Sequence, residues 1–361
     1  MPEFVELREQ AIDRASSLCQ RKINSLCPWA WGPDSVKFFA PLFGHCTGDK
    51  RTTKECFDDA IAQLYSKARS AAFLGKVLSS WAGEPWLCSR NEIGVTVETM
   101  AEALDVIAAI RGRGHHRIVA KEAFGLAGHN AIRLWEPEIL ETQRRWLARA
   151  FENGRQLVIE PWLEREIDFS VQFEMGTSGL KLCGYTGLIN DRKGQFQANR
   201  ASPNHERRIP SNVGALLREP PDIAARLHRL YGDIRLLLED ELRRAGYLGP
   251  VGLDCFVYRA AQGECRLKPV VEINPRYTMG RLTLSLMKQT SPGSHGLFRL
   301  VNRAILRAEG FDNFADYARA VANRFPLALE GEPLRKIREG AVCLNDPARA
   351  QVCLAVFQVS R

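Results

Sequence analysis

Two apolar stretches, Val251 to Tyr258 and Arg266 to Asn274, flank the turn-like Ala-Ala-Gln-Gly-Glu at 260–264. Apolar runs on either side of a glycine turn predict an antiparallel hairpin. With Gly263 at its centre, Asp254 lies across the ladder from Glu272, with Cβ atoms about 5 Å apart. Asn274, two residues beyond Glu272, projects from the same face. Like charges set opposite each other are destabilising unless something neutralises them. A hard divalent cation with oxygen ligands does so, and magnesium typically takes one or two carboxylates plus substrate phosphates. The alternative is a solvated sheet face whose charges point at water. Both strands are otherwise apolar, which favours burial of the opposite face and a polar face that lines a site.

The rest of the chain alternates in an α/β manner from Lys67 onward. Phe4 to Ser25 reads as a helix, and Asp34 reads as the cap of another that begins at Ser35. Thr99-Met-Ala-Glu102 is a capping box opening a helix that ends at Gly112. A β-branched strand, Arg117 to Lys121, runs into the loop 123–128, and a second helix covers about Pro137 to Asn153. Gln156 to Glu160 is an apolar strand. Asp168 to Met175 alternates, with Phe169, Val171, Phe173 and Met175 on one face, and turns at 176–179 into a hairpin partner. A long helix, Asp222 to Ala245, stops at Gly246. The last 50 residues read as a helix, about Asn313 to Arg324, and short strands near Ala341 and Val352.

Two further segments carry chemistry. Lys121 at a strand end, followed by a loop with Gly125 and Gly128, sets an ammonium and several backbone N–H groups where phosphate oxygens bind. A plain strand-to-strand turn has the same appearance. The loop is neither a Walker A sequence nor a dinucleotide fingerprint. Leu157-Val-Ile-Glu160-Pro-Trp-Leu163 is a strand broken by proline, followed by acidic residues that include Asp168. Pro161 cannot extend a ladder, which frees neighbouring backbone groups for an adenine edge. An ordinary strand break with surface acids is the other reading.

Taken in this order, from Lys67 to about Arg281, the segments resemble the ATP-grasp superfamily, of which carbamoyl phosphate synthetase, biotin carboxylase and D-alanine–D-alanine ligase are examples. Val271-Glu272-Ile-Asn274-Pro-Arg276 resembles the Glu-x-Asn-x-Arg signature. The resemblance implies an α/β (α+β) fold in which two α+β subdomains clasp ATP. It implies Asp254, Glu272 and Asn274 as magnesium ligands, with one or two Mg2+ ions, and Lys67, Lys121, Gly125 and Gly128 around the ATP phosphates. Glu160 and Leu163 fall where the backbone contacts adenine, and Asp168 where an acid holds the ribose. Arg276 is implied for an acyl phosphate, and Arg281 and Arg200 are further candidates for a substrate carboxylate. The implied activity is carboxylate–amine ligation through an acyl phosphate, with small-molecule carboxylate and amine substrates. Glu122 departs from the family pattern, where proline or a small residue is common. The expected division is an atypical N-terminal region at 1–66, subdomains at 67–155 and 156–310, and a C-terminal helix-strand appendage at 311–361.

Composition narrows the rival classes. Fifty basic against 42 acidic residues give +8, but the basic set, 12 lysines and 38 arginines, is interleaved with acids along the chain. That dispersal argues for a solvated surface over a nucleic-acid stripe. No run of about 18 apolar residues occurs, which argues against a membrane span. The acidic N-terminus and ten cysteines without a Cys-x-x-Cys pair read as a cytoplasmic protein with reduced thiols. A nucleotide-binding regulatory or scaffold protein that does not ligate is the alternative function. Oligomeric state is open, with a homodimer as one option.

Overall fold

A computed structural model describes residues 21–48, 51–125, 130–135, 137–190, 196–217 and 221–361. Its organising element is a nine-stranded antiparallel sheet. The strands are β5 (Glu164–Gly176), β6 (Gly179–Asn190), β7 (Phe196–Ala201), β8 (Gly249–Arg259), β9 (Cys265–Asn274), β10 (His295–Asn302), β11 (Ala328–Glu330), β12 (Lys336–Cys343) and β13 (Cys353–Ser360). Their order is β11-β12-β13-β10-β7-β6-β5-β8-β9, so the C-terminal strands extend this same sheet. A second, four-stranded sheet holds β1 (Val95–Val97), β2 (Ile118–Glu122), β3 (Ala131–Leu134) and β4 (Leu157–Pro161) in the order β1-β4-β2-β3. Among the described residues no helix is long and apolar enough to cross a membrane.

Alternation along β5 decides which face of the large sheet is dry. Phe169, Val171, Phe173 and Met175 are all buried and pack with Leu230, Tyr231, Ile234 and Leu238 of the helix Ile223–Arg244. Each such side chain contributes about 1.5–3 kcal/mol when fully buried. The small sheet has its own core, in which Ile118, Leu157 and Ile159 meet Ile107 and Ile110 of the helix Met100–Gly112 and Leu147 of the helix Glu141–Glu152. Two α+β units, each with a hydrophobic core, therefore lie on either side of the segment between β4 and β5. The mixed α+β class expected from the sequence is the one observed.

Local signals held where the cap chemistry was complete. The Thr99 hydroxyl accepts from the Glu102 N–H at 3.2 Å, and Glu102 Oε2 accepts from the Thr99 N–H at 3.2 Å. Three expectations are corrected. The helix near Asp34 starts two residues earlier, spans Pro33–Phe39 and is capped by Gly32, whose N–H donates to Ser35 Oγ. Pro33 decides this, because its fixed φ and missing N–H suit the first helical position. The helix expected from Phe4 to Ser25 is not continued over 21–25, where Ile23 instead bridges Cys46; its earlier part lies outside the described residues. Pro161 does not free the next N–H. It sits inside β4 opposite Ile118, and the Trp162 N–H donates to the Arg117 carbonyl at 2.8 Å.

The β8–β9 hairpin pairs Asp254 with Glu272 as expected, but by a less direct route. Next to the turn Tyr258 faces Arg266, which centres the hairpin on Gln262. The ladder then shifts between Phe256, opposite Lys268, and Asp254, opposite Glu272. Pro269 lies in the shifted stretch and has no N–H for the ladder, so a bulge there follows from its chemistry. Gly263, at φ 94°, supplies the left-handed residue of the turn.

Candidate active site between the two sheets

Ser170, Asp254 and Glu272 stand side by side on β5, β8 and β9, and Gly252 faces Asn274 one step along. All project from the face opposite the Phe169–Tyr231 core. The Asn274 Nδ2 donates to Asp254 Oδ2 at 3.0 Å, and Arg276 Nη2 donates to Asn274 Oδ1 at 2.8 Å. Burial, followed by the negative charge of Glu272, pushes the Asp254 carboxyl from 3.8 up to about 6 against the opposing pull of Arg276. This raised value marks negative charge that the protein's own groups leave under-compensated.

The donor set is therefore two carboxylates and an amide oxygen, which suits magnesium. Among the described residues no group of three or more His, Cys, Asp or Glu side chains forms a metal cage. A two-carboxylate site fits an ion whose remaining ligands come from water and phosphate.

The opposite wall is cationic. Lys67, at the start of the helix Lys67–Ser80, places Nζ 3.0 Å from Glu272 Oε1 and donates to the Gly125 carbonyl at 2.6 Å. Ser70, on the same helix, is fixed to β9 by accepting the Ile273 N–H at 3.0 Å. Lys121 of β2 pairs with Glu160 of β4. Burial alone would raise the Glu160 carboxyl, but Lys121 and Lys268 together hold it well below the usual carboxylate range. These five charged residues, with Val270, line a cavity of about 20 Å³. That is room for about one water.

The remaining expected residues do not all reach this face. Asp168 projects from the same face of β5 as Ser170, binds Arg165 at 3.1 Å and accepts from Asn190 at 3.1 Å. Leu163 is buried at the β4–β5 connection. Gly125 meets Lys67, and Gly128 lies outside the described residues. Arg281 is paired with Glu174 at 2.7 Å. Glu174 is four residues along β5 from Ser170, a run of about 13 Å. Arg200 is corrected outright. It faces Gly187, which faces Phe169, so strand parity sends it from the sheet face away from Asp254.

Two departures from the expected pattern acquire explanations. Glu122 accepts from Asn130 Nδ2 at 3.0 Å and pairs with Arg155, so its carboxylate ties the two ends of the glycine-containing loop. The short N-terminal region is seated directly on the signature segment. The Tyr277 N–H donates to the Trp29 carbonyl at 2.8 Å, and the Tyr65 hydroxyl reaches the carbonyls of Trp31 and Pro275 at 3.0 and 2.8 Å. Sequence reasoning missed Lys268. The signal was available: a rare lysine inside an apolar strand, at an even spacing from Glu272.

Glu272 of the large sheet thus meets Lys67, and Lys121 and Glu160 of the small sheet line the same cavity.

No protein-family model matches the chain, and no curated protein matches it in sequence. Solved structures with a partial likeness to it include three, each with a TM-score below 0.5. The biotin carboxylase–βγ-ATP complex of Campylobacter jejuni is 12% identical with a TM-score of 0.49, over 91% of this chain and 70% of that one. N5-carboxyaminoimidazole synthetase from Staphylococcus aureus, complexed with ADP, is 10% identical with a TM-score of 0.48, over 93% and 80%. The biotin carboxylase domain of Hydrogenobacter thermophilus 2-oxoglutarate carboxylase, with MgADP and bicarbonate, is 11% identical with a TM-score of 0.47. The match covers 83% of this chain and 63% of that domain.

Proposed function

We propose that the chain is an ATP- and Mg2+-dependent ligase that joins a small-molecule carboxylate to an amine through an acyl phosphate. The observation that carries this reading is the pairing of Asp254 with Glu272, with Asn274 beside them and the Lys67 ammonium on Glu272. The domain reading accompanies it: subdomains at 67–155 and 156–310 form the cleft, preceded by the 1–66 region and followed by 311–361.

In the first half-reaction a carboxylate oxygen attacks the γ-phosphorus, the bond from phosphorus to the β,γ-bridging oxygen breaks, and ADP leaves. In the second the amine nitrogen attacks the acyl carbon, phosphate departs with the carbon–oxygen bond pair, and the nitrogen loses a proton. Asp254, Glu272 and Asn274 would hold magnesium, which would supply charge neutralisation at the phosphates. Lys67, beside Glu272, adds an ammonium at the phosphate end. Lys121 would add a second ammonium there, Glu160 and Leu163 would serve the adenine, and Asp168 the ribose. The Arg276 guanidinium holds Asn274, and its buried Nε has no partner among the described residues. A planar fork of this kind suits the oxygens of an acyl phosphate.

The test is ADP release in the presence of pooled carboxylates and amines. Release that requires both a carboxylate and an amine supports ligation. Mg2+-dependent nucleotide binding with no such release identifies a nucleotide-binding regulatory protein instead.

A further inference from the structure

Lys268 is the buried charge that the ligase reading leaves without a task. Its side chain is 3% exposed; Nζ donates to Glu160 Oε2 at 2.7 Å and to the Glu92 carbonyl at 3.0 Å. Glu92 is itself fixed, since its carboxylate accepts from the Tyr258 hydroxyl at 2.6 Å and from the Ser89 N–H at 2.7 Å. Lys121 already neutralises Glu160, on its other oxygen. A second ammonium is not needed for charge balance there. Burying an ion carries a desolvation cost, and an apolar side chain of similar volume is often no less stable at such a position.

The second ammonium does have a geometric consequence. With each oxygen bound to a different lysine, the carboxylate plane of Glu160 is locked against rotation. Two of roughly four lone-pair sites are used, and the rest remain as acceptors beside the cavity. Lys268 belongs to β9 of the large sheet and Glu160 to β4 of the small one, so the lock also spans the cleft.

Resting on the proposed ATP site, we propose that Lys268 is a positioning residue that fixes Glu160 as an oriented acceptor for the nucleobase and thereby sets base selectivity. An ionised acceptor receives the N–H of a 6-amino purine. A 6-oxo purine has no N–H at that atom and sets a carbonyl oxygen against the carboxylate. Sites built around a hydrogen bond to one ligand reject the analogue that lacks it, because a buried polar group is left unpaired.

The test compares binding of non-hydrolysable ATP and GTP analogues, by calorimetry with Mg2+, to wild type, Lys268→Met and Lys268→Arg. Wild type is expected to prefer the ATP analogue by at least about tenfold. Lys268→Met, which keeps the packing stem, is expected to bring that ratio close to one, and Lys268→Arg to retain most of it. A merely structural lysine would alter both affinities together and leave the ratio alone. An unchanged ratio in Lys268→Met, or a wild type that binds both analogues equally, overturns the inference while leaving the ATP site standing. No binding of either analogue by wild type overturns the ATP site and this inference together. If Lys268→Met does not fold, Lys268→Gln is compared in its place with the same outcomes.

Discussion

Lys67 Nζ lies 3.0 Å from Glu272 Oε1, so an ammonium from the start of one helix occupies the approach to a carboxylate proposed to hold magnesium. The same ammonium donates to the Gly125 carbonyl. Lys67 therefore links the metal end of the cleft to the loop expected to cover the phosphates. Removing it has opposite effects on two ligands. Lys67→Met is expected to bind free Mg2+ more tightly than wild type, because Glu272 loses a competing cation. It is expected to bind the Mg2+–ATP analogue about tenfold or more weakly, a loss of about 1.4 kcal/mol. Paired titrations with Mg2+ alone and with the nucleotide complex check both signs.

Asp254→Asn and Glu272→Gln keep the size of each side chain and remove its charge. Both are expected to fold and to lose ADP formation, since the proposed chemistry depends on charge at that face. Activity assays beside circular dichroism spectra check this. Substantial turnover in either variant would count against the metal assignment.

The raised Asp254 carboxyl makes a pH-dependent claim. Between about 4 and about 6 the folded state holds a proton on Asp254 that the unfolded state has released, so rising pH lowers stability across that window. Relative to Asp254→Asn, the wild type without metal should therefore lose stability from pH 4 to 6 and show no further difference above it. Urea unfolding at several pH values measures the trend. Adding Mg2+ at pH 7 should recover stability in wild type only.

Much of the candidate site was legible because its signals are local and chemical. A hairpin pairs residues by counting from its turn, and the alternation of β5 sorts apolar from polar positions without tertiary information. The Asp254–Glu272 pairing was reached with the turn centre misplaced by one residue; the bulge at Pro269 compensated. Arg200 was misjudged because β7 had not been recognised, and without a register the facing direction of a residue is undetermined. Lys268 and Glu92 meet only when the 86–92 segment docks beside β9, through the Leu267 N–H and the Trp86 carbonyl at 2.8 Å. Contacts of that separation leave no periodicity to read. The C-terminal strands β12 and β13 pair with partners far from their own turn or with one another, and nothing local in their sequence names β10 as the neighbour of β13.

Packing under the site offers a stability test. Phe173 is 1% exposed, and its face of β5 supports the opposite one that carries Ser170 and Gln172. Phe173→Ala is expected to cost about 3–5 kcal/mol, read as a shift in the denaturation midpoint.

Gly280 tests the positioning of the helix Met279–Met287. A Cβ there would stand 2.6 Å from Gln172 Nε2 and 2.7 Å from Thr186 Oγ1. Gly280→Ala is expected to destabilise by about 1–3 kcal/mol and to disturb the Thr278 hydroxyl, which donates to Gln172 Oε1 at 2.6 Å. Thermal unfolding of the variant reports the first effect, and nucleotide titration tests whether the second reaches Arg276.

The most direct test of the central claim is calorimetric titration of the full chain with a non-hydrolysable ATP analogue, with and without Mg2+, for wild type and Lys121→Ala. The account predicts Mg2+-dependent binding that is lost in the variant. Binding that ignores Mg2+ and survives in Lys121→Ala, or no binding by wild type at all, would contradict it.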